Sequence, residues 1–412
     1  MKFRMVATCL FGLESLLGEE IDKIGGKRVE TMDGRVTFDG DESVLVAANI
    51  CLRCAERVFI LLGSFPVYSF DELFEGTKAL PWEKFIGKDD AFPVKGHAIR
   101  SRLYSVPDCQ SIVKKAVVDR LSGVYGIRIF PETSVKYQIE FFIFKDQAAL
   151  MIDTSGIALH KRGYRPASGE APLRETLAAA IATIARPKED VLFCDPFCGS
   201  GTIVIEAAMI ATNRAPGVSR SFAAEDFPVI DKSVWKLGRE KAMDEISRDS
   251  RFEAIGSDID PEVLAKAREN AKRAGVENNI KFFTADARNI TKTEGRRGTV
   301  VCNPPYGERL MTVSEAEALY RDMGRAFEKL SPWQIYVLTS AENFERLYGR
   351  RADKIRKLYN GMIPCRLYQY FKPKQNDSER KYHDYGKVSF RYKAFLSYRR
   401  VCRKVSQNSP RS

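Results

Sequence analysis

Short apolar segments separated by turns run through the first part of the chain. Residues 5–9 and 35–38 have the composition of strands, and the apolar spacing of residues 14–24 predicts a helix that ends at a pair of glycines. Residues 43–62 show a helical spacing that is followed by an apolar run. Helices and strands of this size predict a small α+β unit over residues 1–64.

A second unit, residues 65–158, combines strands with one long helix. Residues 98–103 are expected to form a strand, and residues 135–144 and 148–153 are expected to form a hairpin. Asp108 occupies the position of a helix N-cap. The apolar residues that follow it form one helical stripe: Ile112, Val113, Ala116, Val117 and Leu121.

From residue 159 onward the pattern changes to strands that alternate with helices. A helix is predicted to begin at Pro172 and to end before Pro187. Apolar segments then predict strands at residues 191–194, 254–257, 280–283, 300–302 and 335–338. Helical patterns lie at residues 202–211, 261–274 and 315–330. Apolar strands connected by helices indicate an α/β fold with a doubly wound, mostly parallel, Rossmann-like sheet over residues 159–371.

Charge changes this picture by suggesting a kind of partner. The chain has 412 residues, of which 66 are basic and 54 acidic, which gives a formal net charge of +12. A positive balance favours a polyanionic partner, although a basic protein without such a partner is also compatible with it. The last forty-one positions, residues 372–412, hold twelve basic and three acidic side chains, so this tail carries a net charge of +9.

Cysteine, histidine and apolar patterns argue against several classes of site. Nine cysteines in a chain of this length do not indicate a disulfide framework, and Cys51 and Cys54 make a single CxxC pair that favours a helical pair over zinc or redox chemistry. With three histidines, no metal site is expected. The chain has no apolar run of eighteen residues, and Glu14, Glu19 and Glu20 follow its first apolar stretch. We therefore expect no membrane span and no signal peptide, and a cytoplasmic location.

The first strand of the third unit leads into a glycine-rich turn, Asp195-Pro-Phe-Cys-Gly-Ser-Gly-Thr202. In open α/β sheets, ligands bind beyond the carboxyl ends of strands, which is where Asp195 is placed. Gly199 and Gly201 allow the backbone to approach a ligand closely, and Thr202 opens the next helix. Because the spacing matches neither the dinucleotide motif nor a P-loop, a cofactor without phosphate is favoured over a dinucleotide or a nucleoside triphosphate. A tight turn with a purely structural role is the alternative.

Carboxylates also follow the next two predicted strands. Asp258 can accept hydrogen bonds from both hydroxyls of a ribose, whereas Asp260 is expected to cap the following helix. The interval from Asp195 to Asp258 is sixty-three residues, whereas about twenty are expected in a plain nucleotide-binding unit. Residues 213–251 are therefore expected to be an insertion. Asp286 can accept the amine of an adenine or can be a cap or turn residue, and the sequence leaves both open.

The sequence Asn303-Pro304-Pro305-Tyr306 follows the fourth predicted strand. Two prolines fix φ and remove two backbone donors, so this loop is stiff and presents carbonyl oxygens. The Asn303 side-chain oxygen and the Pro304 carbonyl can accept both hydrogens of an exocyclic amine, which turns the nitrogen lone pair toward an electrophilic methyl group. Tyr306 offers a ring on which a planar base stacks. Together with the glycine-rich turn, this pattern predicts methyl transfer from S-adenosylmethionine to an amine on a planar base or an amide.

The chain resembles the bacterial THUMP-domain RNA methyltransferases, specifically the group that methylates guanine N2 in large-subunit (23S) ribosomal RNA. The likeness covers about residues 1–371, and it is carried by the segments 101–116, 160–165, 171–177, 195–206 and 303–309. It implies a ferredoxin-like domain at residues 1–64, a THUMP RNA-binding domain at 65–158 and a class I methyltransferase domain at 159–371. Some family members carry a second methyltransferase domain, which we do not expect here.

The same resemblance assigns roles to the site residues. The cofactor, S-adenosylmethionine, is expected to contact Asp195, Phe197, Gly199, Ser200, Gly201, Thr202, Asp258 and Asp286. The target amine is expected to contact the catalytic residues Asn303, Pro304, Pro305 and Tyr306. Ribosomal RNA is the expected partner.

Basic side chains from several segments are expected to bind the RNA. They are Arg100 and Arg102 in the predicted strand, Lys114 and Lys115 on the polar face of the long helix, and Lys161 and Arg162 before the third unit. Each of them is also compatible with a solvated charged face. The basic tail, residues 372–412, is interpreted as an RNA-binding arm or as an additional pair of strands. If phosphates are bound, affinity is expected to fall steeply with salt.

Two other functions stay open beside guanine-N2 methylation of ribosomal RNA. The same chemistry on transfer RNA, or on an adenine N6 amine, is one alternative, because THUMP domains also occur in transfer-RNA enzymes. A catalytically inactive RNA-binding factor in ribosome assembly is the other. The intact motif at residues 303–306 speaks against the inactive factor.

Overall fold

The computed structural model describes residues 1–166, 173–306 and 312–371. The helix start predicted at Pro172, the last residues of the 303–309 segment and the basic tail 372–412 lie outside these ranges. In the described residues no helix combines the length and the apolar composition that a membrane span requires.

The first seven strands of the chain form one sheet. They are β1 (Lys2–Cys9), β2 (Lys27–Met32), β3 (Arg35–Asp41), β4 (Ala55–Pro66), β5 (Val94–Ile99), β6 (Ile139–Phe144) and β7 (Gln147–Asp153). Their order is β2-β3-β1-β4-β7-β6-β5. β4 pairs with β1 on one side and β7 on the other, so that Ile60 lies opposite both Met5 and Ile152. The first two predicted units therefore share a single sheet, and the predicted boundary at residue 64 falls inside β4.

Helices cover one face of this sheet and bury their apolar residues against it. They are α1 (Glu14–Lys23), α2 (Glu42–Cys51), α3 (Phe70–Lys78) and α4 (Val106–Tyr125). Leu17 of α1 and Leu45 of α2 share one core with Met5 of β1 and Phe38 of β3. Cys51 and Cys54 are free thiols, but they are not the helical pair that the sequence predicted, because α2 ends at Cys51 and Cys54 follows it.

The strand predicted at residues 98–103 is shifted toward the N-terminus. β5 pairs in parallel with β6, and the pairing ends where Ile99 meets Phe144. Arg100 then adopts a φ of 50°, which turns the chain out of the sheet. Arg100 and Arg102 consequently lie in the loop after β5 rather than on alternate positions of a strand.

The helix that follows begins earlier than predicted. Its N-cap is Ser105 and not Asp108, because Pro107 fits the first helical turn, where a missing N–H has no cost. Asp108 lies inside that turn and accepts a hydrogen bond from the Ser105 hydroxyl at 2.5 Å. The predicted apolar stripe faces the core, with Val113, Ala116, Val117 and Leu121 buried.

The remaining strands form a second sheet, which confirms the predicted α/β class. They are β8 (Val191–Asp195), β9 (Ala254–Asp258), β10 (Ile280–Thr284), β11 (Arg297–Cys302), β12 (Gln334–Thr339), β13 (Lys354–Asn360) and β14 (Ile363–Tyr370). The order is β10-β9-β8-β11-β12-β14-β13, and β8 to β12 are parallel while the β13–β14 hairpin is antiparallel. The helices are α5 (Glu175–Ala185), α6 (Thr202–Ala211), α7 (Lys232–Asp244), α8 (Pro261–Ala274), α9 (Val313–Glu328) and α10 (Phe344–Tyr348).

The predicted insertion, residues 213–251, connects the two sheets. Its helix α7 packs on α2 so closely that a methyl group at Gly238 would come within 2.6 Å of Val46. Phe227 stacks on Tyr137 of the first sheet's core, with ring centres 4.3 Å apart. These apolar contacts attach the N-terminal sheet to the methyltransferase-like sheet, so the insertion has a structural role.

Candidate active site

The predicted site residues follow neighbouring strands at one edge of the second sheet. Because β8 and β11 are parallel and Cys194 pairs with Val300, Asp195 and Asn303 emerge at the same carboxyl edge. β9 is the other neighbour of β8 and brings Asp258 to this edge as well. The glycine-rich turn and the Asn303–Pro304–Pro305–Tyr306 corner, called the acceptor corner below, therefore follow neighbouring strands at one edge of the sheet.

Asp195 is the most strongly perturbed carboxylate at this edge. Its side chain is almost fully buried, with 1% of the residue exposed. One oxygen accepts a hydrogen bond from the backbone of Phe197 at 3.0 Å, while Oδ2 is buried without a hydrogen-bond partner among the described residues. Burial, and to a smaller extent the charge of Asp258, raises the pKa of Asp195 to about 8. An unsatisfied buried acceptor of this kind is suited to a cationic or hydrogen-donating ligand.

The glycine-rich turn has the shape of a cofactor cradle. Gly199 has a φ of 52° with open space where its Cβ would be, and Gly201 has a φ of 84° at the N-cap of α6. Both values favour glycine. Asn270 of α8 donates a hydrogen bond to the Ser200 carbonyl at 3.0 Å, which holds the turn from behind. The exposed backbone here, and the unpartnered oxygen of Asp195, fit the uncharged nucleoside and cationic amino-acid parts of S-adenosylmethionine.

Phe197 and Thr202 belong to the same turn but make contacts within the protein. Phe197 is half-buried against the core that lies on the α9 side of the sheet. The Thr202 hydroxyl accepts a hydrogen bond at 3.2 Å from Arg165, whose guanidinium also pairs with Glu175 at 2.6 Å. The sequence did not predict that Arg165 and Glu175 hold Thr202, since neither residue type is unusual at its position.

Asp258 holds two loops together and keeps acceptor capacity. Its oxygens accept hydrogen bonds from Gly199 at 2.9 Å and from Asp260 at 3.2 Å, both through backbone N–H groups. A carboxylate has about four acceptor positions, so a ribose hydroxyl has a place to bind. Asp260 caps α8 through the backbone of Glu262 at 2.8 Å, as predicted. Ile259 between them is exposed, and a large apolar side chain beside the predicted ribose acceptor is a feature that the sequence analysis did not use.

Asp286 is occupied by a local partner. Its carboxylate accepts a hydrogen bond from the backbone of Arg288 at 2.9 Å and pairs with the guanidinium of the same residue. This pairing lowers the pKa of Asp286 below its usual value. The structure shows Asp286 as the cap of a short turn, and its contact with the adenine amine stays a prediction.

The acceptor corner is held by contacts on both faces of the sheet. Tyr306 packs against the core that the sheet shares with the N-terminal unit, and its hydroxyl donates a hydrogen bond to Oδ1 of Asn303. From the opposite face, the Tyr320 hydroxyl of α9 donates to the Pro305 carbonyl at 2.8 Å. These contacts make the corner rigid and hold Asn303 Oδ1 in a position in which it accepts a hydrogen bond.

The residues predicted to bind RNA divide into exposed and occupied groups. Arg100, Arg102, Lys115 and Lys161 are exposed. The Arg102 guanidinium lies 5.0 Å from the ring centre of Tyr68, and Tyr104 beside it is 81% exposed, so cations and aromatic rings share this surface. The Lys114 ammonium instead binds Glu132 and the Phe92 carbonyl, at 3.1 Å from the latter, which gives it a structural role.

The prediction that Arg162 contacts RNA is wrong. Its side chain is 2% exposed and pairs with the fully buried Glu206 of α6 at 3.4 Å. The same guanidinium donates to the Leu159 carbonyl at 2.8 Å, and Tyr164 donates to Glu206 at 3.1 Å. Basic and aromatic residues in this segment therefore attach it to α6, whereas their composition alone resembles that of an RNA-binding surface.

Comparisons with known proteins agree with this arrangement. Residues 4–59 match the RlmL ferredoxin-like domain, residues 67–153 match the THUMP domain, and residues 162–369 match the RMKL-like methyltransferase domain. The chain is 44% identical over 373 residues to "Putative RNA methyltransferase YpsC" of Bacillus subtilis (strain 168), covering 90% of this chain and 96% of that protein.

Solved structures give the same result. SMU.472, described as a putative methyltransferase complexed with SAH, shares 39% identity and a TM-score of 0.85, covering 91% of this chain and 99% of that one. A protein from Listeria monocytogenes str. 4b F2365, described as "a predicted N6-adenine-specific DNA methylase", shares 46% identity and a TM-score of 0.85, covering 90% and 97%. The resemblance to THUMP-domain RNA methyltransferases and the S-adenosylmethionine cofactor are thus confirmed, and the chain belongs to the RMKL-like methyltransferase family.

Proposed function

We propose that this enzyme transfers the methyl group of S-adenosylmethionine to the exocyclic N2 amine of a guanine in 23S ribosomal RNA. The observation that carries the proposal is the acceptor corner, a rigid loop that presents Asn303 Oδ1 at the same sheet edge as Asp195 and Asp258. The matches of this chain to the RlmL ferredoxin-like and RMKL-like models support ribosomal RNA as the substrate class.

The corner orients the amine through its two hydrogens. Asn303 Oδ1 accepts one N–H and the Pro304 carbonyl accepts the other, which turns the nitrogen lone pair out of the plane of the base. When bound, the cofactor would supply an electrophilic methyl group: an N–C bond would form as its S–C bond breaks, and the methylated nitrogen would release a proton to solvent. No strong general base is needed before attack, so the rate depends on positioning and on the exclusion of water.

Tyr306 has two roles in this proposal. Its hydroxyl occupies Asn303 Oδ1 in the structure, so the target amine takes the place of the hydroxyl when it binds. Its ring then provides the face on which the base stacks. Since the amine of a paired guanine is engaged in its helix, the target nucleotide has to leave its stack to reach the corner.

RNA binding is assigned to the surface around Arg102. Arg100, Arg102 and Lys115 are exposed in the THUMP-like unit, the Tyr68 ring lies beside Arg102, and the exposed Tyr104 follows Arg102 by two residues. Arginine beside exposed aromatic rings suits both phosphates and bases. Ribosomal RNA in bacteria is cytoplasmic, which agrees with the expected location of the enzyme.

Adenine N6, and the guanine N2 of a transfer RNA, are the alternative targets. The corner accepts any exocyclic amine, and the Listeria relative is described as "a predicted N6-adenine-specific DNA methylase". An inactive assembly factor is the remaining alternative. It predicts no heat of binding when S-adenosylmethionine is titrated into the protein.

The test is a comparison of modified nucleosides in separated ribosomal and transfer RNA. RNA from cells that lack the protein is compared with RNA from cells that carry the wild type or Asn303→Ala. The proposal expects N2-methylguanosine to disappear from a site in 23S RNA without the protein, to return with the wild type and to stay absent with N303A. Loss of a methylated adenine, or loss only from transfer RNA, would select the corresponding alternative.

A further inference from the structure

Tyr320 contacts the acceptor corner from the face of the sheet opposite to Tyr306. It lies in α9, its residue is 1% exposed, and its ring packs edge-on against Phe344 with centres 5.1 Å apart. Its hydroxyl is 2.8 Å from the Pro305 carbonyl and 3.1 Å from Thr339 Oγ1. Thr339, at the end of β12, is also fully buried.

These contacts form a hydrogen-bond chain with a fixed direction. The Ala341 backbone N–H, which can only donate, is 3.1 Å from Thr339 Oγ1. The Pro305 carbonyl at the other end can only accept. The Thr339 hydroxyl must therefore donate to the Tyr320 oxygen, and the Tyr320 hydroxyl must donate to Pro305. Hydrogen bonds aligned in this way polarise and strengthen one another in a buried site.

The chain acts on the one backbone angle that the prolines leave soft. The rings of Pro304 and Pro305 fix φ at both positions, the peptide groups are planar, and ψ of Pro304 is restricted because a proline follows it. The remaining angle, ψ of Pro305, decides where Tyr306 begins. A hydrogen bond to the Pro305 carbonyl fixes that ψ. Because Tyr320 and Thr339 sit on a helix and a strand, the support is rigid.

We propose that Tyr320 is a positioning residue for methyl transfer, which sets the geometry of the acceptor corner through the chain from Ala341 and Thr339 to Pro305. This inference rests on the proposed role of the corner as the binding site for the target amine. Tyr320 itself touches neither the amine nor the cofactor in this proposal, so its effect is on the rate of the chemical step and not on the binding of either substrate.

The kinetic test compares Tyr320→Phe with Tyr348→Phe. Tyr348 lies in the same aromatic core and stacks on Phe344, so Y348F removes a hydroxyl from that core as a matched control. Total RNA from cells that lack the protein is methylated with labelled S-adenosylmethionine. We expect Y320F to lower kcat about 10- to 100-fold, with KM for RNA and Kd for the cofactor changed less than about threefold. We expect Y348F to keep the wild-type kcat.

Conservative replacements at Thr339 test the chain itself. Thr339→Ser keeps the hydroxyl that donates to Tyr320, whereas Thr339→Val keeps the shape and removes it. The inference expects T339S to retain kcat and T339V to lower it in the manner of Y320F. Equal kcat for Y320F and the wild type would overturn the inference, and so would a parallel loss of kcat, cofactor affinity and thermal midpoint in Y320F.

Hydrogen exchange gives a readout that does not depend on activity. In the peptide that contains residues 303–306, the amides of Asn303 and Tyr306 should exchange at least about tenfold faster in Y320F than in the wild type, with Y348F unchanged. Unchanged exchange in Y320F would overturn the inference. If the wild type methylates no RNA, the proposed function fails, while this exchange measurement still decides whether Tyr320 holds the corner.

Discussion

Because the pKa of Asp195 is raised, we predict that the affinity for the cofactor depends on pH. Burial raises the pKa of this carboxyl to about 8, and its Oδ2 has no hydrogen-bond partner in the described part of the chain. At pH 7 the free enzyme then carries a proton on Asp195 in about nine molecules out of ten. S-adenosylmethionine brings a sulfonium and an ammonium group, and positive charge beside a buried carboxyl lowers its pKa.

The magnitude follows from this pKa. If the bound cofactor returns the pKa of Asp195 to its ordinary range, binding at pH 7 releases about 0.9 proton. Affinity then rises with pH until the pKa of the free enzyme is reached. Between pH 6.5 and 7.5 the gain is about eightfold, and above pH 9 it is complete.

Stability of the cofactor-free enzyme is expected to have the opposite pH dependence. The folded pKa lies above the unfolded value of 3.8, so between these two values the folded protein binds more protons than the unfolded chain. The contribution of Asp195 to the free energy of unfolding is therefore largest below about pH 4 and declines as pH rises to about 8. Asp195→Asn removes this dependence, because an amide does not titrate in this range.

Calorimetry in buffers of different ionisation enthalpy measures the released protons directly. The amine of the cofactor also titrates near neutral pH, so D195N is the necessary control, and the prediction concerns the difference between wild type and variant. A wild-type release that exceeds that of D195N by about 0.9 proton at pH 7 agrees with the reasoning. The same release in both proteins, or proton uptake by the wild type, would show that Asp195 is already ionised in the free enzyme.

Three further outcomes are expected. Tyr306→Phe should keep kcat/KM for RNA at or above the wild-type value, because the variant loses the hydroxyl that competes for Asn303 and keeps the ring. Tyr306→Ala should lower kcat/KM about 5- to 150-fold, because it removes the ring on which the base stacks. Equal effects of the two variants in a methylation assay would contradict a stacking role. Arg162→Ala should destabilise the fold by about 3–5 kcal/mol in denaturant unfolding, whereas Lys161→Ala should not, because only Arg162 leaves a buried carboxylate unpaired. Arg102→Ala should reduce the slope of log affinity against log salt by about 0.7–0.9 in RNA titrations, while the exposed, Asp39-paired Arg4→Ala should leave it unchanged.

The fold could be predicted where apolar periodicity was strong. The helices α6 and α8 were predicted with the bounds that they have, Thr202–Ala211 and Pro261–Ala274. β2 had no such signal, because all six of its residues are exposed at the sheet edge. That the first two units share one sheet depends on β4 pairing with β7, whose paired residues lie 81–94 positions further along the chain, and no local pattern reports such a pairing.

The site could be predicted where its residues are contiguous. The glycine-rich turn and the acceptor corner each lie within eight residues, and the parallel sheet brings them to one edge. The role of a single charged residue depended on a distant partner. Lys161 and Arg162 are neighbours of the same charge, yet one is exposed and the other is buried, because Glu206 lies 44 positions away on α6. Tyr320 was likewise missed because its partner, Pro305, comes from a different element.

One helix links the cofactor cradle to the N-terminal sheet. α6 begins at Thr202, directly after Gly201. One turn later, its Glu206 forms an ion pair with Arg162, which lies in the segment that follows the first sheet. Arg53, which follows α2, donates a hydrogen bond at 2.9 Å to the carbonyl of Arg214, three residues after the end of α6. The N-terminal sheet is thus attached to the middle of the helix that starts at the glycine-rich turn and to the segment that follows this helix. In the proposed function, this attachment fixes the distance between an RNA held on the exposed basic surface around Arg102 and the acceptor corner, and the buried Arg162–Glu206 pair serves the attachment and not a direct contact with RNA.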